Sequence, residues 1–242
     1  MKRRISTKDC LLNVGLLVTL QAVPLIASAG VSANLGITSN YLFRGVTQTD
    51  GSTATQGGLD YEHASGLYVG GWGSNVDFGD GTSYELDLYA GFSGVIEDIG
   101  YDVGYIYYSY PDAPESIDFG EIYGELSYSI VSIGVAYTAN SDVSGEGLFV
   151  PGDIYYYASV DVPLEDDFST GVLIGYYDFT DDGKASIGEA SYGHAAVNVT
   201  KDAGSFGAFS VNLEYADIDS SNALGSVSSD DPKFWLGWTK SF

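Results

Sequence analysis

Few side chains in this chain are able to do covalent or metal chemistry. It holds two histidines, His63 and His194, and one cysteine, Cys10. His63 falls in Glu62-His63-Ala64-Ser65, which reads as a turn, and His194 in the alternating run Ser191-Tyr192-Gly193-His194. Residues three apart on a strand point to opposite faces, so Ser191 and His194 do not make a nucleophile and its base. Zinc spacing, a P-loop and a dinucleotide fingerprint are all missing. The glycines of G-L-Y-V-G-G-W-G (66–73) lack the helix that a phosphate-binding loop needs. No catalytic residue, metal or cofactor is therefore expected, and a lipid-hydrolysing activity is the most distant reading.

Carboxylates are the abundant chemistry. Among 242 residues, 33 are Asp or Glu against 9 Lys or Arg, a formal net charge of -24. Such a surface repels phosphate, which excludes nucleic acid as a sequence-independent partner. With 45% hydrophobic and 14% aromatic residues the chain carries too much apolar material for a solvated acidic tail. Short acid clusters occur at Asp77/Asp80, Asp181-Asp182-Gly183 and Asp230-Asp231. Their oxygens suit calcium, yet they lack the spaced ligands and closing Glu of a calcium loop. They read as solvated turns, placed to meet divalent ions that bridge lipopolysaccharide.

The elements that carry these acids begin after an export signal. Lys2, Arg3, Arg4 and Lys8 precede an apolar stretch from Leu11 to Ala22, Pro24 and the small-x-small site Ala27-Ser28-Ala29. Residues 1–29 thus read as a signal peptide and 30–242 as the mature domain. Cys10 precedes the apolar stretch, away from a lipidation site. Cleavage leaves Arg44, Lys184, Lys201, Lys233 and Lys240 as the only basic residues of the mature chain.

The mature chain alternates with period two, and the pattern divides into twelve segments: 31–44, 53–63, 66–77, 83–94, 100–110, 118–130, 131–141, 152–161, 168–179, 190–201, 205–216 and 231–242. In 83–94, Tyr84, Leu86, Leu88, Ala90 and Phe92 share one face while Glu85 and Asp87 share the other. In 118–130, Ile122, Leu126 and Tyr128 oppose Glu121 and Glu125. Connections sort by parity, long ones such as 45–52, 142–151 and 217–230 alternating with short ones such as 64–65 and 202–204. A sandwich has no reason to do this, whereas a membrane barrel has short turns at one end and long loops at the other. The fold class expected is all-β: a transmembrane, antiparallel, up-and-down β-barrel of about 12 strands. The aromatic pairs and triplets Tyr41/Phe43, Tyr107/Tyr108/Tyr110, Tyr155/Tyr156/Tyr157 and Tyr176/Tyr177/Phe179 read as interfacial girdles.

The segments S-A-N-L-G-I-T-S-N-Y-L-F-R-G-V-T-Q-T-D-G (32–51), Q-G-G-L-D-Y-E-H-A-S-G-L-Y-V-G (56–70), W-G-S-N-V-D-F (72–78) and E-L-D-L-Y-A-G-F (85–92) resemble the TorF-like porins, or Gcw_chp outer-membrane proteins of proteobacteria. The resemblance is densest over the first four strands, and it implies an outer-membrane barrel and a pore, with no substrate or catalytic residues to carry over. Leu236, Trp238 and Phe242 resemble the C-terminal signal read by the barrel assembly machinery, with Lys240 departing from its usual apolar residue.

The lumen candidates are Arg44, Asp60, Glu62, Glu85, Asp87, Glu121 and Glu125, joined by Asn34, Thr38, Asn40, Gln56, Asp153, Asp161 and Glu214. A carboxylate-lined pore concentrates cations; alternatively these residues only solvate a narrow barrel, with Arg44 bridging Asp60 or Glu62. The function expected is passive diffusion of ions or small polar solutes across the outer membrane of a Gram-negative bacterium, weakly cation-preferring. A non-conducting structural or surface-interaction barrel is the alternative. If the pore is plugged, 142–151 and 217–230 are the loops long enough to do it. Partners expected are outer-membrane lipid and lipopolysaccharide, the assembly machinery, and ions or small solutes. The unboiled protein should migrate faster than the boiled one on a gel containing SDS; identical mobilities would count against a closed barrel.

Overall fold

The computed structural model describes residues 30–218, 221–224 and 231–242. Residues 1–29, expected to be a signal peptide, and Asp230 lie outside the described residues. Fourteen strands form: β1 (Gly30–Thr38), β2 (Leu42–Phe43), β3 (Val46–Thr47), β4 (Ala54–Glu62), β5 (Leu67–Asn75), β6 (Tyr84–Ile96), β7 (Ile99–Ser109), β8 (Phe119–Tyr128), β9 (Val131–Ser141), β10 (Ile154–Pro163), β11 (Phe168–Asp178), β12 (Tyr192–Asp202), β13 (Ala208–Ala216) and β14 (Lys233–Ser241). All but β2 and β3 pair antiparallel in chain order, and β14 returns to β1 through Asn34↔Ser241 and Ile37↔Trp238, closing a twelve-stranded barrel. Closure leaves no strand edge unpaired, the condition for backbone to cross hydrocarbon.

The parity of the connections holds. Turns 63–66, 97–98, 129–130, 164–167 and 203–207 gather at one end with Gly30 and Phe242, and the longer connections gather at the other. The alternation also holds. Leu88 and Ile174 are 66% and 60% exposed on the outer face, and Leu59, Ile133 and Phe234 are similarly open. Their inward neighbours Glu85, Asp87, Glu121 and Glu125 are buried. An apolar exterior around a polar interior is the reverse of a soluble protein, and lipid is the solvent that suits it.

Two expectations are corrected. The first strand stops at Thr38, whose hydroxyl donates to the Asn40 carbonyl at 2.7 Å, and the chain then turns into the lumen. Tyr41 and Phe43, expected on the lipid face, are buried inside the barrel. The second correction concerns the girdles. Tyr107, Tyr156 and Tyr176 do face outward, but Tyr108, Tyr155, Tyr177 and Phe179 point inward and are buried. Consecutive tyrosines on a strand must split between the two faces, so each of the other three aromatic runs supplies both a lipid-facing and a lumen-facing ring.

The inward rings form a hydrophobic core at the long-loop end, drawing on Tyr41, Phe43 and Val46 together with Tyr108, Phe119, Tyr155, Tyr177 and Tyr192 from the wall. A charge placed on the opposite face tests the assignment. Leu88→Arg, at mid-strand on the outer face, should cost about 2–4 kcal/mol, read as a lowered urea midpoint in lipid vesicles, whereas the inward Ser74→Arg should not show this depth-dependent lipid penalty when bilayer thickness is varied.

Candidate functional site

The site is built around a hairpin that enters the barrel from the first long loop. Strands β2 and β3 pair through Leu42↔Thr47 and Phe43↔Val46, with Arg44 and Gly45 as the turn. Both turn residues have positive φ, +51° and +86°, as a two-residue hairpin of matching twist requires. A Cβ at Gly45 would sit 3.0 Å from the Cβ atoms of both Ala216 and His194, so glycine lets the tip press against the β12–β13 wall. Gln48 N–H donates to the Tyr41 carbonyl at 2.7 Å and Asp77 N–H to the Gln48 carbonyl at 2.7 Å, tying the hairpin base to the next loop.

From this tip Arg44 reaches across the lumen to β8. Its two terminal nitrogens donate to the two carboxylate oxygens of Glu121, each at 2.7 Å. Tyr177 and Tyr108 add hydroxyl donors at 3.3 Å, so Glu121 accepts four hydrogen bonds in all. The guanidinium also lies 4.1 Å from the Tyr155 ring centre, 4.6 Å from Phe43 and 5.0 Å from Tyr177, an aromatic cage that suits a delocalised cation. The strand pairing slips at this place: Gly120 faces Asn140, but Glu121 faces Thr138. A bulge re-aims the side chain beside it, and here that side chain is the partner of Arg44. Two further walls hold the hairpin, through Tyr192 hydroxyl to the Arg44 carbonyl at 3.0 Å and Tyr41 hydroxyl to Glu85 at 3.3 Å.

Glu85, Asp87, Glu121 and Glu125 are buried within the barrel, and the pairing of Arg44 differs from expectation. Arg44 pairs with Glu121, not with Asp60 or Glu62, which lie on β4 toward the short-turn end. Asp60 instead accepts from Tyr89, Asp102 from Tyr68 at 2.7 Å and Glu125 from Tyr157, while Glu214 accepts from the Trp235 indole at 3.1 Å. Tyrosine hydroxyls thus do the work that lysine or arginine would do in a chain richer in cations. These rings lie over glycines of neighbouring strands: a Cβ at Gly70, Gly91 or Gly134 would overlap Tyr89, Tyr68 or Tyr157. Asp102 was not among the expected residues, although it shares the inward parity of Ile106 and Tyr108 on β7.

An inward-folded hairpin comes from the first loop, 39–53, which length did not single out; of the expected loop 217–230, Ile218 and Leu224 join the buried core, and 219–220 and 225–230 lie outside the described residues. Loop 142–151 contributes in a lesser way, stacking Phe149 on Phe119 at 4.8 Å. On the outer rim Lys184 and the Gly147 N–H both donate to Asp181; the Lys184 hydrogen bond first, then the Gly147 one, hold that carboxyl below its usual range. His194 bonds the Tyr155 hydroxyl through Nε2 at 2.8 Å, and His63 bonds Ser65 within its own turn at 2.9 Å. Among the described residues no group of three His, Cys, Asp or Glu is placed to hold a metal.

A closed twelve-stranded barrel with an apolar exterior, an acidic lumen and an inward hairpin defines a transmembrane β-barrel protein. The chain belongs to the Gcw_chp family, described as bacterial proteins of unknown function, whose model matches residues 26–242. Three solved structures share the fold. KdgM porin has a TM-score of 0.56 at 10% identity, over 88% of this chain and 98% of that one. A KdgM porin in complex with disordered oligogalacturonate scores 0.55 at 8% identity, again over 88% and 98%. NanC porin scores 0.53 at 9% identity, over 87% and 98%. Identities this low carry the fold and nothing finer. No curated protein matches the sequence.

Removing one member of the buried pair should be worse than removing both. Glu121→Gln strands the guanidinium and is expected to cost about 3–5 kcal/mol, seen as a lowered unfolding midpoint in vesicles. Arg44→Met combined with Glu121→Leu should recover a large part of that loss; a double variant as unstable as Glu121→Gln would show that shape, not charge pairing, sets the cost.

Proposed function

We propose that the protein is a narrow outer-membrane channel for ions and small polar solutes, weakly cation-preferring, whose lumen the β2–β3 hairpin constricts. The observation that carries this reading is the inner half of the barrel. Below the hairpin the inward face presents Asp60, Glu62, Asp102, Glu125 and Asp161, while Lys201 and Lys240 sit on outward positions of β12 and β14. Carboxylates at close quarters in a low-dielectric tube favour cations over anions. The buried donors Gln56 Nε2 and Trp72 Nε1 find no protein acceptor among the described residues, which suits a wall that water or a polar solute visits. A twelve-stranded lumen lies between side-chain-filled eight-stranded barrels and the wide sixteen-stranded porins.

The porin fold of the solved neighbours, one of them in complex with disordered oligogalacturonate, and the resemblance to TorF-like porins support an outer-membrane channel. In this orientation residues 1–29 are the removed export signal, the short turns face the periplasm, and Leu236, Trp238 and Phe242 present the assembly signal. Leu236 and Trp238 face lipid, and the Phe242 N–H closes on the Ala33 carbonyl at 2.9 Å. The hairpin itself favours a second reading, a non-conducting barrel, because its buried contacts reach three walls.

Planar-bilayer recording separates the two. The native protein should give small steps whose reversal potential in a potassium chloride gradient has the cation sign. Arg44→Ala with Glu121→Gln, which leaves no stranded charge, should raise the conductance severalfold. Silence from both proteins would establish the non-conducting barrel.

A further inference from the structure

Above the hairpin the long loops enclose a second cavity, of about 500 Å3, which the channel reading does not use. Its floor is Phe43 with Val46 and Thr47 of the hairpin, and its walls are Phe78, Tyr110, Phe119, Phe149 and Tyr192. Phe78 and Tyr110 meet at 5.4 Å with their planes tilted by 57°, and Phe119 and Phe149 stack at 4.8 Å, so the cavity is bordered by both ring faces and ring edges. Its size and aromatic lining are those of a small-molecule site, where apolar area gives affinity and a few polar groups give selectivity. The charged side chains that line it are Asp50 and Asp77, with no Lys or Arg among the described lining residues. Arg44 lies under the floor with its charge committed to Glu121. An anion entering would meet two carboxylates and the negative ring faces; a cation would be drawn to both.

We propose that this vestibule binds a small organic cation with an aromatic or apolar body, held by the aromatic walls and by Asp50 and Asp77. The body replaces water against the walls, and the cationic head lies between ring faces and carboxylates. Binding requires the folded barrel and not a conducting pore, so this inference and the channel reading stand or fall separately.

The test uses the full mature chain in nanodiscs of zwitterionic lipid, with calorimetric titration against empty nanodiscs. Benzyltrimethylammonium should bind saturably at one site per barrel, with tetramethylammonium and benzenesulfonate each weaker by about tenfold or more. Asp50→Asn with Asp77→Asn should weaken benzyltrimethylammonium about tenfold and erase its advantage over the anion. Phe78→Leu, which keeps bulk and removes the ring face, should weaken it severalfold, with gel mobility confirming that each variant is folded. Equal affinity for benzenesulfonate, variants that bind as the native protein does, or no saturable binding would each overturn the proposal.

Discussion

The structure depends on how carboxylates are kept inside a barrel that has almost no cations to offer them. A buried carboxylate without a partner is costly, by far more than one ordinary hydrogen bond returns. Arg44 is spent on Glu121, deep in the lumen, where it gives both carboxylate oxygens a charged donor. Five of the other acids turn to phenol and indole groups: Glu85 to Tyr41, Asp102 to Tyr68, Asp60 to Tyr89, Glu125 to Tyr157, Glu214 to Trp235. The excess of acids over bases, the twenty tyrosines and the thirty-two glycines are connected facts. Acids need tyrosines, and tyrosines lying flat along the wall need glycines beneath them.

The same constraint shapes the two halves of the lumen. At the long-loop end a hairpin carries its own apolar residues inward, and a core of rings packs about it, so the pair of Arg44 and Glu121 sits in surroundings of low dielectric where geometry must be good to repay desolvation. Four hydrogen bonds to Glu121 and three rings about the guanidinium supply that geometry. At the short-turn end, acids and tyrosines line the tube with no such insert. One barrel therefore combines a packed segment with a polar one, and the hairpin, fixed at once to β6, β8 and β12, is the element whose position decides how far they communicate.

Much of the fold was legible because its rules are local. Tyr84, Leu86 and Leu88 against Glu85 and Asp87 is an alternation that the pleat imposes within five residues, and it survived into the structure unchanged. The parity of turns and loops was legible for a similar reason, since antiparallel neighbours return through whichever connection is shortest. Two readings failed where the signal had two meanings. Tyr41-Leu42-Phe43-Arg44 continued the alternation of the first segment, yet Arg44-Gly45 is also a two-residue turn, and the hydrogen bond from Thr38 to Asn40 ended the strand first. The run Tyr155-Tyr156-Tyr157 looked like an interfacial belt, although period two sends its first and third rings into the lumen. Loop length singled out 142–151 and 217–230, and 219–220 and 225–230 lie outside the described residues; the hairpin of 39–53 was passed over because what carries it inward is apolar content with a charge to satisfy.

The sequence by itself determined the barrel, its inward and outward faces, and the acidic character of the lumen, because pleat and period are properties of neighbouring residues. Only the tertiary structure decided what those acids pair with. Arg44 and Glu121 are 77 positions apart, and a bidentate bond between them needs a hairpin turned inward, a closed wall and a slip in register beside Glu121. None of these is local, and distance along the chain carries no information about distance across a lumen until the last strand has met the first.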